Sequence, residues 1–394
     1  MAITDKEQGV WDLDQVYNKI NQGGIWSYDG FSQFWIWGYN YYGQLGQNNT
    51  TNYSSPRQIP GTTWSETSDG MQSSYEWLAV KTDGTMWTSG DNLYGQLGLN
   101  TQGSSYVSSP VQIPGTTWSS AMNAGQNCKG AVKTDGTLWM WGRNQQGSTG
   151  TNDRTNRSSP TQVPGSTWGS TRGKLNAGYL STAAIKTDGT LWAWGSNYRG
   201  LLGQNTNSYH SSPVQIGSDT SWSKLSHSGF NAQGAIKTDG TLWVWGDNER
   251  GGLAQNDSDN VDRSSPIQVG TDTTWSNIDM AQFRGMGVKT NGTLWTWGSN
   301  NDGVLGLNQG PSQLAECSSP TQIPGSTWSG EYFGMGEHAG ALKTDGTAWV
   351  WGRNNNGQLG LNDKTYRSSP TQIPGTDWNK MYQRNQGFQV LKLF

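Results

Sequence analysis

The residues that could do chemistry are few and scattered. The histidines are His210, His227 and His338, and none stands beside a serine or cysteine in the pattern of a nucleophile and its base. Cys128 and Cys317 lie far apart and form neither a metal-ligand nor a redox motif. Aspartate recurs in Asp-Gly pairs along the chain, and an aspartate repeated at one period is a turn residue rather than half of a catalytic carboxylate pair. One stretch, Asp257-Ser-Asp259-Asn260-Val-Asp262, alternates oxygen ligands as calcium loops do, so Asp257, Asp259 and Asp262 are weak metal candidates. It lacks the sixth-position glycine and the twelfth-position glutamate of an EF-hand. The expectation is therefore no catalysis, no cofactor and no metal.

What orders the chain is a repeat. Its clearest form is IKTDGTLWAWGSN, from Ile185 to Asn197. The glycine closing Trp-x-Trp-Gly falls at Gly38, Gly90, Gly142, Gly195, Gly246, Gly298 and Gly352. Ser-Ser-Pro keeps the same beat, ending at Pro56, Pro110, Pro160, Pro213, Pro266, Pro320 and Pro370. A lone tryptophan follows each, at Trp64, Trp118, Trp168, Trp222, Trp275, Trp328 and Trp378. A near-constant period of this kind means one supersecondary unit stacked repeatedly, too small to bury its own apolar face.

Within the repeat, two alternating runs flank Asp-Gly, which predicts a hairpin with a two-residue type I′ turn. One copy substitutes Asn291-Gly292, which suits the same geometry. The Trp-x-Trp spacing puts both rings on one face of a strand. The residues between them, such as Met140, Ala193 and Val244, are small or medium and mostly apolar, so both faces are covered. This predicts an all-β, seven-bladed propeller. The chain ends in a strand-like segment, Phe388 to Leu393, without a following Trp-x-Trp. It is expected to pair with Phe34 to Gly38 and close the ring, with Ile25 to Gly30, which also resembles the IKTDG strand, as the rival for that inner place.

Composition makes sense through the repeat. Mean hydropathy is −0.74, which alone would argue for disorder. Yet charged residues are 14% and tryptophans number 23, so the core is built of indole. A net charge of −3 predicts no nucleic-acid partner. No run of 18 apolar residues occurs, so no membrane insertion is expected, and the polar start MAITDKEQ predicts no secretory leader. In the second repeat Ser89 replaces the second paired tryptophan, and Trp77, outside the repeat pattern, is the expected filler of the gap.

The repeat resembles that of the regulator of chromosome condensation family, over residues 25–394. The matching residues are Asp-Gly-Thr-Leu-Trp-x-Trp-Gly-x-Asn and the Gly-Gln-Leu-Gly after it, at Gly43 to Gly46, Gly95 to Gly98 and Gly357 to Gly360. The resemblance implies a seven-bladed propeller closed by its terminal strands. A histidine common in the family survives only at His338, where a packed role is implied; Glu76, Cys128, Ser181, Ala232 and Arg284 replace it elsewhere. Members include exchange factors, inhibitors and light receptors, so the repeats transfer fold and not activity.

Variation then points to partner binding. The segment between each lone tryptophan and the next Asp-Gly turn changes in length and content, and holds Tyr75, Tyr179, Phe230, Phe283, Arg284, Tyr332, Phe333, Tyr382 and Arg384. Read as loops on one face, these are candidate partner contacts, since aromatics and arginine are the usual hot-spot types. Residues 1–24 lie outside the repeat and resemble leaders of structural proteins from marine tailed bacteriophages. Val10, Leu13, Tyr17 and Ile20 share a face of a short helix, and Trp11, Leu13, Val16 and Tyr17 are anchoring candidates. The expectation is a non-enzymatic virion protein, with residues 1–24 as anchor and 25–394 as propeller, displayed on capsid or tail. Its partners would be other virion proteins and a host surface protein or glycan. A propeller lectin and a regulator of a GTPase or other protein are the alternatives.

Overall fold

The computed structural model describes residues 33–394, apart from 61–62, 66–70, 73–74, 104–105, 126, 179, 227–230, 258–259, 385–386 and 393–394. Among the described residues the strands form seven four-stranded antiparallel sheets, the blades of an all-β propeller. A typical blade runs outward from the axis as Trp118–Ala124, Cys128–Lys133, Leu138–Gly142 and Arg157–Gln162. The lone tryptophan thus opens the innermost strand and Ser-Ser-Pro lies on the outermost. One sheet joins the two ends of the described chain: Tyr53–Gln58, Gln33–Gly38, Gly387–Lys392 and Trp378–Arg384, in that order. Its central register runs from Gln33 opposite Lys392 to Gly38 opposite Gly387. Ile25 to Gly30, the rival segment, lies outside the described residues.

The hairpin turn differs from its expected type. In Lys186-Thr-Asp-Gly-Thr190 the Gly189 N–H donates to the Lys186 carbonyl at 3.0 Å and the Lys186 N–H to the Thr190 carbonyl at 3.0 Å. Gly189 has φ +78, while Asp188 is not left-handed. This is a three-residue loop ending in a glycine bulge, not a two-residue type I′ turn. The cause is the aspartate side chain: Asp188 Oδ1 accepts from the Thr190 N–H (3.0 Å) and hydroxyl (2.7 Å). Thr190 Oγ1 in turn accepts from Trp192 Nε1 at 2.8 Å. The same relay recurs at Asp83, Asp135, Asp239, Asn291 and Asp345. It fixes Trp87, Trp139, Trp192, Trp243, Trp295 and Trp349.

Above these rings lies a lysine. Lys81, Lys133, Lys186, Lys237, Lys289 and Lys343 each place the ammonium over the lone tryptophan and the first paired tryptophan of their own blade, 3.8–5.2 Å from the ring centroids. Cation–π attraction of this kind strengthens as water is excluded. In the blade built from both termini, Lys392 holds the corresponding backbone position opposite Trp378.

The second paired tryptophan joins blade to blade. Trp37, Trp141, Trp194, Trp245, Trp297 and Trp351 are fully buried. Each donates its indole N–H at 2.8–3.0 Å to a carbonyl in the Gly-x-x-Gly loop of the preceding blade. The glycines follow from the closeness of this contact. A Cβ on Gly150 would stand 2.6 Å from Trp194 Nε1, and one on Gly360 2.6 Å from Trp37 Nε1. The first glycine of the loop rests on the next blade's Ser-Ser-Pro: a Cβ on Gly147 would meet Ser211 Cα at 2.6 Å, and one on Gly357 would meet Ser54 Cβ at 2.7 Å. Ala254 breaks the rule at φ +56, and Gly285, opposite Trp297 in register, leaves the room that the ring then takes.

Blade two replaces this tryptophan from the neighbouring strand. Trp77 sits opposite Ser89, is fully buried, and meets Trp64 edge-on at 5.6 Å, close to the 5.7 Å of Trp168 and Trp194. Its Nε1 lies 3.5 Å from where a Cβ on Gly46 would be, so the ring fills the expected gap.

Two outcomes follow. Trp77→Ala should lower unfolding free energy by about 3–5 kcal/mol in urea titration, as other core aromatic truncations do. Deleting residues 387–394 removes the strand between the two ends of the chain and exposes a sheet edge; the expected result is aggregation and a large drop in melting temperature.

Candidate functional site

The loops that leave the Trp-x-Trp-Gly strands gather on one end of the propeller, here the upper face; the Asp-Gly turns occupy the other. A buried asparagine builds each upper loop. Asn197 Oδ1 accepts from the Leu202 N–H at 2.8 Å, and its Nδ2 donates to the Thr206 carbonyl at 2.6 Å. Asn40, Asn92, Asn144, Asn300 and Asn354 repeat both contacts. The loop backbone is therefore constant, and the two residues after the asparagine are free to vary. They are Tyr41-Tyr42, Leu93-Tyr94, Gln145-Gln146, Tyr198-Arg199, Glu249-Arg250, Asn301-Asp302 and Asn355-Asn356. Sequence reasoning missed these positions. Their signal was variation directly after an asparagine that never varies.

The face is chemically uneven. Tyr39, Tyr41, Tyr42 and Tyr75 form a run of ring contacts between the first and second blades. Burial, then the neighbouring Tyr42 ring and the carboxylates Glu76, Asp91 and Glu337, raise the Tyr75 hydroxyl above its ordinary range. Farther round, Arg143 caps the Tyr94 ring at 5.0 Å. Arg199 meets Asp247 at 2.8 Å, with Asp262 and Glu249 at 3.6 and 3.7 Å. Arg353 pairs with Glu337 at 2.5 Å.

Toward the axis, polar side chains tie neighbouring blades. Lys129 pairs with Glu76 at 2.6 Å, both buried, and donates also to the Gly125 carbonyl. Asn176 donates to Gln233 (2.7 Å) and Ser226 (3.2 Å). Asp279 accepts from the Met335 N–H at 2.9 Å. Arg284 is buried and donates to the Gly336 carbonyl at 2.6 Å; desolvation pushes its guanidinium down to about 10.

The predicted contacts separate under this geometry. The segments read as loops are largely the innermost strands, with short turns at their upper ends. Tyr332 and Phe333 fall in Trp328–Met335, and Tyr382 and Arg384 in Trp378–Arg384. Phe333 is a core residue, 5% exposed, packed with Met335 and Trp351 rather than facing a partner. Phe283 is half-buried at φ +63 in the turn before Arg284. Tyr179 and Phe230 lie outside the described residues, as do the anchoring candidates Trp11, Leu13, Val16 and Tyr17. His338 is buried, its ring 4.8 Å from Phe388.

The weak metal candidates have protein partners where they are described. Asp257 accepts from Arg263 (3.0 Å) and Asn248 (2.9 Å), and Asp262 from the Asn248 N–H (3.3 Å) beside Arg199, so guanidinium groups already neutralise these carboxylates. Asp259 lies outside the described residues. Burial pushes the Cys128 thiol up to about 12, which removes it as a nucleophile at neutral pH.

The sequence matches the regulator of chromosome condensation (RCC1) repeat over residues 33–66, 83–132, 135–171, 188–227, 291–328 and 345–383, more than half of the chain, and a second form of that repeat over 174–201. It is 27% identical over 285 residues to the ultraviolet-B receptor UVR8 of Arabidopsis thaliana, covering 70% of this chain and 63% of the receptor. It is 24% identical over 375 residues to the E3 ubiquitin-protein ligase HERC2 of Mus musculus, covering 91% of this chain but 7% of the ligase. Among solved structures, yeast RCC1 (Prp20) bound to Kap60 superposes with a TM-score of 0.79 at 19% identity, covering 92% of this chain and 89% of that one. Human WBSCR16 superposes at 0.76 and 19%, covering 92% and 98%. At these identities the structures share the fold.

The buried ion pair gives this region its test. Lys129→Met leaves Glu76 without its charge partner and should cost about 3–5 kcal/mol in chemical denaturation. Pairing it with Glu76→Leu should recover most of that loss.

Proposed function

The chain belongs to the regulator of chromosome condensation (RCC1) repeat family, and we propose that it works without catalysis, as a rigid propeller that binds protein partners through its upper face. The asymmetry of the two ends carries this reading. The lower end repeats one Thr-Asp-Gly-Thr turn nearly unchanged, which offers no specificity. The upper end holds its loop backbone constant through the buried asparagines and changes the side chains it displays from blade to blade. Varied side chains on a rigid scaffold are how loop surfaces recognise partners. The relatives support a protein partner by analogy: yeast Prp20 was solved with Kap60, and Prp20p is described with binding to Gsp1p and histones.

The setting proposed is a bacteriophage virion, with the propeller displayed on capsid or tail, other virion proteins as partners and residues 1–24 as the attachment element. What supports it is the resemblance of that leader to tailed-phage structural proteins and the apolar groups it carries, Trp11, Leu13, Val16 and Tyr17. Mass spectrometry of purified particles tests it. The full chain should be found in particles. A chain lacking residues 1–24 should melt at the same temperature yet be absent from them. Absence of the full chain rejects the virion setting; normal incorporation of the truncated chain moves the attachment surface onto the propeller. Stimulated nucleotide release from a GTPase would favour a regulator instead.

A further inference from the structure

The tyrosine run on the first two blades is not required by the fold. Tyr41 and Tyr42 follow Asn40, whose amide holds the loop. The same two positions are Gln145-Gln146, Asn301-Asp302 and Asn355-Asn356 in blades with the same loop contacts. Nothing in the backbone calls for aromatic rings there. Yet Tyr39 and Tyr41 lie nearly parallel, 14° apart at 6.2 Å, and Tyr42 stands edge-on at 5.0 Å to both Tyr41 and Tyr75. Tyr41 is 62% exposed. Surface aromatic rings held together in this way are a cost to solubility that a ligand repays.

The charge pattern selects the ligand. From residue 33 to residue 56 the sequence has no Asp, Glu, Lys, Arg or His. The matching upper loops of the third to seventh blades all carry charges, Arg143, Arg199, Glu249, Asp302 and Arg353 among them. In the second blade's loop Asp91 is the sole charge, and Gln96 Nε2 donates to it at 2.9 Å. Elsewhere on this face arginine covers tyrosine, Arg143 over Tyr94 and Arg199 over Tyr198. Among the described residues no cation lies over Tyr39, Tyr41 or Tyr42. The first blade's loop therefore offers ring faces, phenolic hydroxyls and exposed hydroxyls such as Thr50 without a charge of its own, and the nearest charge in the second blade's loop is the carboxylate of Asp91. An uncharged ligand with C–H faces for the rings and hydroxyls for the polar groups fits this surface; an acidic peptide would find no counter-charge on it, and the arginine-rich peptide in the test below measures what Asp91 alone can attract.

We propose that Tyr39, Tyr41, Tyr42 and Tyr75 form a stacking platform for a neutral saccharide. This site is separate from the protein-partner reading and does not rest on it. The test uses the full chain against an immobilised panel of neutral hexose and N-acetylhexosamine oligosaccharides, with an arginine-rich peptide in parallel. The strongest oligosaccharide is then titrated calorimetrically. Tyr41→Ala should weaken binding by about tenfold or more while leaving the melting temperature unchanged, because the ring is outside the core. Tyr41→Trp should retain binding, and Tyr198→Ala, on another blade, should leave it untouched. Failure to bind any neutral oligosaccharide overturns the proposal. So does binding that Tyr41→Ala does not change, or binding confined to the peptide.

Discussion

The propeller rests on the contact that the second paired tryptophan makes with the blade before it. The indole ring is buried against the lone tryptophan of its own blade, and its N–H is satisfied by a loop carbonyl across the blade junction. A buried donor left unmade is expensive, so this bond sets the distance between sheets. That distance excludes a Cβ at the last loop glycine, and the same loop settles its first glycine on the next blade's Ser-Ser-Pro. Three motifs spaced far apart in the repeat are thus one junction. The junction from Gly357 and Gly360 to Ser54 and Trp37 is built like the others, which makes the first blade the neighbour of the last.

The repeat tolerates exceptions where a neighbour compensates. Trp77 replaces the ring missing at Ser89 from the position directly opposite, and Gly285 yields space for Trp297 beside Ala254. Both substitutions act on the same packed volume, so the junction constrains volume more tightly than residue identity. With the scaffold held this way, the upper loops can change side chains without changing shape. The aromatic sector of the first two blades and the ion-paired sectors around Arg199 and Arg353 are products of that freedom.

Much of the fold was legible because period-two and repeat signals are local. The paired tryptophans, the covered strand faces and the role of Trp77 could be read from spacing and residue size. The turn type could not, because the aspartate side chain caps the following threonine and leaves the glycine alone in the left-handed region. The innermost strands were hidden as well. Segments such as Trp118–Ala124, WSSAMNA, carry small and polar residues whose strand pairing is set by neighbouring blades rather than by local propensity. Partner candidates such as Phe333 therefore turned out to pack inward. The upper-face positions after each asparagine were visible only as variation, and their meaning needed the loop geometry that exposes them.

The central claim is that the inter-blade indole bonds belong to the global structure and not to locally opening loops. Native-state hydrogen exchange of the indole N–H groups of Trp37, Trp141, Trp194, Trp245, Trp297 and Trp351 tests it directly. Exchange of all six should require global unfolding, with protection free energies that match the denaturant-derived stability. Exchange through openings that cost much less than global unfolding would show that the blades are held by something else, and the account would fail.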